Sequence, residues 1–308
     1  MTPERMPDLT ARVGSLLLRN PVMSASGTFG YGLEFAPFYD ISQLGAVIVK
    51  GLSLRPSPGN PPQRIVETPA GMLNAIGLQN IGVERFVDDV LPRLDDAGAV
   101  SVANIYGRTI DEYEAVARRL SGIPSPAAIE LNASCPNVKE GGIAFGSTPE
   151  GLSRLTRRVR AATEKPLWVK LSPNVTDIGV MARAAEEAGA DAVTLINTIV
   201  GMAVDPVTRR PRLSNVTGGL SGPAIRPVAV RMVWEACKAV RIPVIGIGGI
   251  QSAEDALEFL VVGAAAVQVG TANFRNPNAC VDIIDGIRDF FVRKKIASLE
   301  AYRGSFLP

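Results

Sequence analysis

Eight times along this chain, a short apolar run rich in β-branched residues ends in a polar residue or a glycine, and a longer stretch follows. The runs are PVMSAS (21–26), GAVIVKG (45–51), VSVANIYG (100–107), AAIELNAS (127–134), LWVKLSPN (167–174), AVTLINT (192–198), PVIGIGG (243–249) and AVQVGT (266–271). A run that is apolar almost throughout has no solvent face, so it suits a parallel strand covered on both sides. Helical spacing recurs between several of them, in EGLSRLTRRVRAAT, DIGVMARAAEEAG and RPVAVRMVWEACKAV, and SAEDALEFLVVG opens with a capping pair, Ser252 and Asp255. Eight β/α units in about 250 residues predict an α/β fold, a single (β/α)8 TIM barrel. The competing architecture is an open, doubly wound sheet, but the GxGxxG fingerprint after a first strand is missing.

Residues 1–20 precede the first unit, and the weak alternation of DLTARVGSLLLRN predicts a short N-terminal hairpin plugging the barrel bottom. Residues 52–99 and 198–222 are too long to be simple connectors and are rich in Gly, Pro, Asn and Arg. Long loops at the C-terminal face of a barrel usually carry function. No linker or shift in composition divides the chain, so residues 1–308 are expected to form one domain.

Composition narrows the chemistry. Thirty-two basic and 30 acidic residues give a net charge of +2, with no dense Lys/Arg run, which argues against nucleic-acid binding. The three cysteines, Cys135, Cys237 and Cys280, have no metal-ligand spacing, and their odd, sparse count argues for a reducing compartment and no metal site. Residues 259–267, the longest apolar stretch, fall far short of a membrane span, and Leu16–Leu18 is too short for a signal sequence, so a cytoplasmic protein is expected. There is no histidine. That excludes Ser-His-Asp triads, histidine metal ligands and histidine bases, and leaves Cys, Lys, Asp, Glu, Tyr or water for proton transfer.

Barrel active sites sit at the C-terminal strand ends. Those ends are Ser26, Lys50, Asn104, Asn132, Lys170, Asn197, Gly248 with Gly249, and Gly270 with Thr271. Strand alternation turns Asn132 and Lys170 inward if Glu130 and Trp168 also point inward. Such a rim offers amides, two ammonium groups and glycines, and no pair of carboxylates. Amides can read a neutral heterocycle carrying N–H and C=O groups. Two buried lysines are costly without partners, so a negatively charged ligand is expected. GIGGIQSAEDA and QVGTANF read as a phosphate cradle of backbone N–H groups and a helix N-terminus. Each residue also has a plainer reading. Lys170 could pair with Glu130 inside the barrel, Lys50 could be a solvated strand end, the asparagines could form turns, and the glycines could close tight bends. Cys237 and Cys280 read as packing. Cys135 alone would be a small hydrophobe, but between Asn132 and Asn137, in a loop over the site, it reads as functional.

Taken in order, MLNAIGLQN (72–80), NASCPNVKEGG (132–142), VKLSPN (169–174), LINT (195–198), TGGLSGPAIRP (217–227) and GIGGI (246–250) resemble dihydroorotate dehydrogenase, from about residue 9 to about residue 300. A cysteine in the NASCPN loop resembles class 1, and NVKEGG followed by Phe145 and Gly146, with GGLSGPAIRP, resembles class 1B. The resemblance implies an FMN-containing barrel that oxidises (S)-dihydroorotate to orotate in pyrimidine synthesis, with Cys135 as the base that removes the C5 proton. It implies substrate contacts from Lys50, Asn74, Ala75, Ile76, Gly77, Leu78, Asn132, Asn137, Asn197 and Thr198. It implies FMN contacts from Ser26, Lys50, Gly51, Asn104, Asn132, Lys170, Ile196, Gly222, Gly248, Gly249, Gly270 and Thr271. It further implies a homodimer core in a heterotetramer, whose second subunit carries FAD and a [2Fe–2S] cluster and passes electrons to NAD+. Fumarate, as in class 1A, and a quinone are the alternative acceptors. Another flavin-barrel reductase acting on a related base and a non-catalytic flavin-binding scaffold are the competing functional readings.

Overall fold

The computed structural model describes residues 6–133, 139–140 and 143–307, without the side chains of 139, 140, 143 and 144. The expected runs form eight parallel strands: β1 (Val22–Ser24), β2 (Val47–Leu52), β3 (Ser101–Ile105), β4 (Ala128–Asn132), β5 (Leu167–Lys170), β6 (Ala192–Leu195), β7 (Val244–Ile247) and β8 (Ala266–Val269). They pair in sequence order from β2 to β8, and β8 then pairs with β1. The ring closes between β1 and β2, where the Gly45 N–H donates to the Val22 carbonyl at 2.8 Å and the Ser24 N–H to the Ala46 carbonyl at 3.3 Å. The chain is therefore a (β/α)8 barrel. The open sheet is ruled out because β1 lies between β8 and β2.

The strands are buried on both faces, as their apolar composition requires. Three βα turns end in an N-cap side chain that accepts an orphan N–H of the following helix. Thr109 caps Ile110–Ser121, Thr148 caps Pro149–Ala161 and Asp177 caps Ile178–Glu187. Ser252 and Asp255 form the expected reciprocal box at the start of Ala253–Val261. Arg226–Ala239 and Ala279–Lys294 follow β6 and β8, and short helical stretches ending in Leu91–Asp96 follow β2. The first unit departs from the expected repeat. After β1 there are two 3-10 turns, Leu33–Phe35 and Ile41–Gln43, in place of a helix. Stacked Phe29 and Phe35 rings, 3.8 Å apart, cover that side of the barrel instead.

The N-terminal hairpin pairs Ala11–Val13 with Leu16–Leu18 and buries Ala11, Val13 and Leu18. Its turn residue Gly14 sits beside Asp191, at the start of β6, so the hairpin plugs the bottom as expected. The two long loops meet at the opposite end. Ile65–Thr68 and Gly71–Asn74, after β2, join Ile199–Met202 and Thr217–Ser221, after β6, in a four-stranded antiparallel sheet beside the barrel mouth. Among the described residues, no helix is long and apolar enough to cross a membrane.

The closure contact is a sensitive point. A Cβ at residue 45 would overlap the Asn20 carbonyl oxygen, which is backbone and cannot rotate aside. Gly45→Ala is expected to cost about 2 kcal/mol through overpacking, read as a lower urea midpoint with an unchanged m-value.

Candidate functional site

The strand ends converge on a cavity of about 520 Å³. Every described residue that the motifs singled out lines it: Ser26, Lys50, Gly51, Asn74 through Leu78, Asn104, Asn132, Lys170, Ile196, Asn197, Thr198, Gly222, Gly248, Gly249, Gly270 and Thr271. Cys135 and Asn137 lie outside the described residues. No Asp or Glu lines the cavity among those described.

The floor is a hydrogen-bonded layer across the barrel. Glu130 on β4 is 0% exposed. Its Oε1 accepts from Asn104 Nδ2 at 2.7 Å and its Oε2 from Gln268 Nε2 at 2.6 Å, which joins β4 to its neighbour β3 and to β8 on the far side. Lys170 Nζ stands 3.7 Å from Glu130 Oε1. Both readings of Lys170 therefore hold: it is paired with Glu130 and it lines the cavity. The inward direction of Glu130, which the placement of Asn132 and Lys170 required, follows from these contacts.

Above this layer, Asn197 Nδ2 donates to Asn132 Oδ1 at 3.3 Å, and Asn197 Oδ1 accepts from the Thr198 N–H at 2.8 Å. The Tyr113 hydroxyl donates to the Asn132 carbonyl at 2.9 Å and holds the end of β4 in place. Lys50, at the β2 end, has its pKa pushed below the ordinary lysine value. Burial is the main cause, the Arg64 guanidinium adds to it, and Glu34 opposes it. A half-buried ammonium of this kind gains most from an arriving anion.

The cradle is built from backbone. Gly222, Gly248 and Gly249 have φ of +98°, +136° and +75°, conformations that favour glycine. A Cβ on Gly249 would sit 2.9 Å from the Gly222 carbonyl oxygen and 2.8 Å from Arg226 Cβ, so the two turns pack this closely only because no side chain is there. Thr271 Oγ1 donates to Ser221 Oγ at 2.8 Å, tying the β8 end to the four-stranded sheet. The neighbouring helix is less available than its position suggests. The Gln251 and Ser252 N–H groups both donate to Asp255 Oδ2, and Asp255 also forms an ion pair with Arg226. Donors for an anion here therefore fall mainly to the glycine turns.

The residues that sequence reasoning missed come mostly from the long loops, with Asn174 after β5 and Phe274 after β8. Met72, Asn60, Asn174, Thr217, Gly219 and Phe274 also line the cavity. Asn80 organises the 74–78 segment from behind. Its Nδ2 lies 2.9 Å from each of Ser53 Oγ, the Leu78 carbonyl and the Tyr106 hydroxyl, while its Oδ1 accepts from the Gly82 N–H at 2.8 Å. Leu78 is held there at φ +57°, unusual for a branched side chain. The available signal was the MLNAIGLQN stretch itself, which ends on Asn80.

A family model described as dihydroorotate dehydrogenase matches residues 8–291. A protein of Trichlorobacter lovleyi, named dihydroorotate dehydrogenase B (NAD(+)), catalytic subunit, is 56% identical over 97% of this chain and 98% of its own length. Proteins of the same name from Geotalea daltonii and a Thermoanaerobacter species are 54% and 53% identical, each over 97% of this chain and 98% of their own length. Matches of that extent leave no part of the barrel or its mouth outside the comparison, and on them the chain belongs to the dihydroorotate dehydrogenase family.

Proposed function

We propose that this chain is the catalytic subunit of an NAD+-linked dihydroorotate dehydrogenase. It oxidises (S)-dihydroorotate to orotate in cytoplasmic pyrimidine synthesis. The observation that carries this reading is the convergence of amides, two lysines and a glycine cradle on one cavity that, among the described residues, no Asp or Glu lines. A cyclic ureide bearing a carboxylate needs amide donors and acceptors, a cation and no competing anion.

The same residues fit FMN. The glycine turns at Gly222, Gly248, Gly249 and Gly270, with Thr271, suit its phosphate. Ser26, Lys50, Gly51, Asn104, Asn132, Lys170 and Ile196 complete the set. Asn104 Oδ1 is buried with no protein partner, an acceptor that awaits a ligand donor. FMN, when bound, supplies the acceptor for the hydride that leaves C6 of dihydroorotate.

The chain's own residues do the rest. Lys50, Asn74, Asn132, Asn137, Asn197, Thr198 and the Ala75, Ile76, Gly77 and Leu78 segment hold the substrate ring and its carboxylate. Cys135 Sγ takes the proton from C5. Electrons leave through a second subunit that carries FAD and a [2Fe–2S] cluster, in a heterotetramer around a homodimer core. The names of the relatives support a partner subunit, since each is called a catalytic subunit. Three cysteines are too few for a four-thiolate cluster in this chain.

Two outcomes test the roles. Cys135→Ala should retain FMN, while anaerobic flavin reduction by dihydroorotate slows at least about 100-fold, the lower range for loss of a general base. Near-normal reduction in stopped flow would remove Cys135 from that role. In the parent protein, reduction should quicken as pH rises toward roughly 8.5, the ordinary thiol value.

Lys50 gives the opposite slope. A bound carboxylate favours its ammonium form, and burial already lowers its pKa below the ordinary 10.5. Orotate affinity should therefore be highest below the lowered value and fall as pH rises through it. Lys50→Gln should bind orotate about tenfold or more weakly, the loss of one charge-assisted hydrogen bond, and should lack that falling limb. Calorimetric titration across pH reads both effects.

A further inference from the structure

Beneath the cavity, the Glu130 layer contains two amide oxygens with no hydrogen-bond partner, Asn104 Oδ1 and Gln268 Oε1. Both belong to side chains whose NH2 groups donate to Glu130. A carboxylate accepts hydrogen bonds and donates none, so each amide can approach it only nitrogen first. The orphaned oxygens are therefore a consequence of the carboxylate, since its two oxygens turn both amides the same way. Gln268 is buried away from the cavity, so its oxygen stays in the barrel interior. Asn104 lines the cavity.

A second observation points the same way. Residue 51, at the end of β2, is a glycine without a positive φ, so backbone conformation does not require it. A Cβ there would sit 2.9 Å from Asn104 Oδ1. A side chain there would press on that oxygen. Glu130 aims the acceptor, and the glycine at 51 leaves it room beside β2.

We propose that Glu130 is a positioning residue that sets the hydrogen-bonding polarity of the flavin-site floor: it forces Asn104 to present its amide oxygen to the cofactor and seats Lys170 beside it. This rests on the reading of the cavity as an FMN site. Glu130 itself lies outside the cavity lining. Its influence passes through Asn104, 2.7 Å away, and Lys170, 3.7 Å away.

Glutamine at this position keeps the shape and brings a donor of its own. One of the two facing amides must then turn over, and Lys170 loses its counter-charge. An exchange that preserves the layer's charge should undo the damage. With Glu130→Gln and Asn104→Asp together, the new glutamine oxygen accepts from Gln268 and its NH2 donates to the new aspartate. The second aspartate oxygen then faces the cavity, and one carboxylate again lies near Lys170.

The test is FMN titration of apoprotein by quenching of flavin fluorescence, with the midpoint potential of the bound flavin measured by dye equilibration. Thermal unfolding of each apoprotein confirms that the variants fold. Glu130→Gln should weaken FMN at least about tenfold, the size of effect expected when a buried acceptor is replaced by a donor, and should shift the potential. The double exchange should restore affinity to within about threefold of the parent, well inside the loss that the single change produces. A folded Glu130→Gln protein with parental affinity and potential would overturn the proposal. So would a folded double variant as weak as the single one, which would make Glu130 a merely structural group. Failure of the parent protein to bind FMN would instead bring down the cofactor reading, and the two failures are separable.

Discussion

Closure of the strand ring depends on a contact that contains no side chain. At Gly45, β2 approaches β1 so closely that the Asn20 carbonyl occupies the space of a Cβ, while the Gly45 N–H donates to Val22. Once the ring is shut, all eight parallel strands must end at the same rim. Residues such as Lys50 and Thr271, on the strands at the two ends of the pairing order, then share one cavity. The site is thus a product of closure as much as of its own residues. In a sheet opened at that contact, the same strand ends would lie in a row, with Lys50 at the edge opposite Ser26 and Gly270.

The rim divides its work between backbone and amides. Where a phosphate would sit, the turns are glycines at positive φ, packed against neighbouring chain too closely for a side chain. Where a ring would be read, asparagines supply both donor and acceptor, and neighbouring groups fix which one each presents. Asn197 commits its oxygen to the Thr198 N–H and offers its NH2 to Asn132. Asn104 commits its NH2 to Glu130. An amide that could otherwise flip is pinned at the level below the ligand, which is how a polar site discriminates without moving.

The barrel was legible in the sequence because each strand is buried on both faces, so its apolar run carries the signal almost alone. The strand-end residues were legible for the same reason, since a polar residue that interrupts such a run stands out. Three features were not legible. The four-stranded sheet pairs Gly71–Asn74 with Thr217–Ser221, across more than half the barrel, and both strands are glycine-bearing and half-exposed, so neither shows a clean alternation. The helix missing after β1 is replaced by Phe29 on Phe35, an aromatic contact with no periodicity to read. The engagement of Gln251 and Ser252 by Asp255 was half visible. The capping pair was evident, but not that it would take the N–H groups expected to serve a phosphate.

Two ammonium groups in one cavity would ordinarily repel each other, and their surroundings explain how both are kept. Lys170 has the buried Glu130 carboxylate 3.7 Å away, so its charge is balanced whether or not a ligand is present. Lys50 is balanced only in part: Glu34 favours its proton, while burial and Arg64 act against it. An arriving carboxylate therefore changes the state of Lys50 far more than that of Lys170. One lysine belongs to the permanent electrostatics of the floor, and the other gains its full charge stabilisation from the ligand. A site built this way holds a resident cofactor and still reserves attraction for a substrate anion that comes and goes.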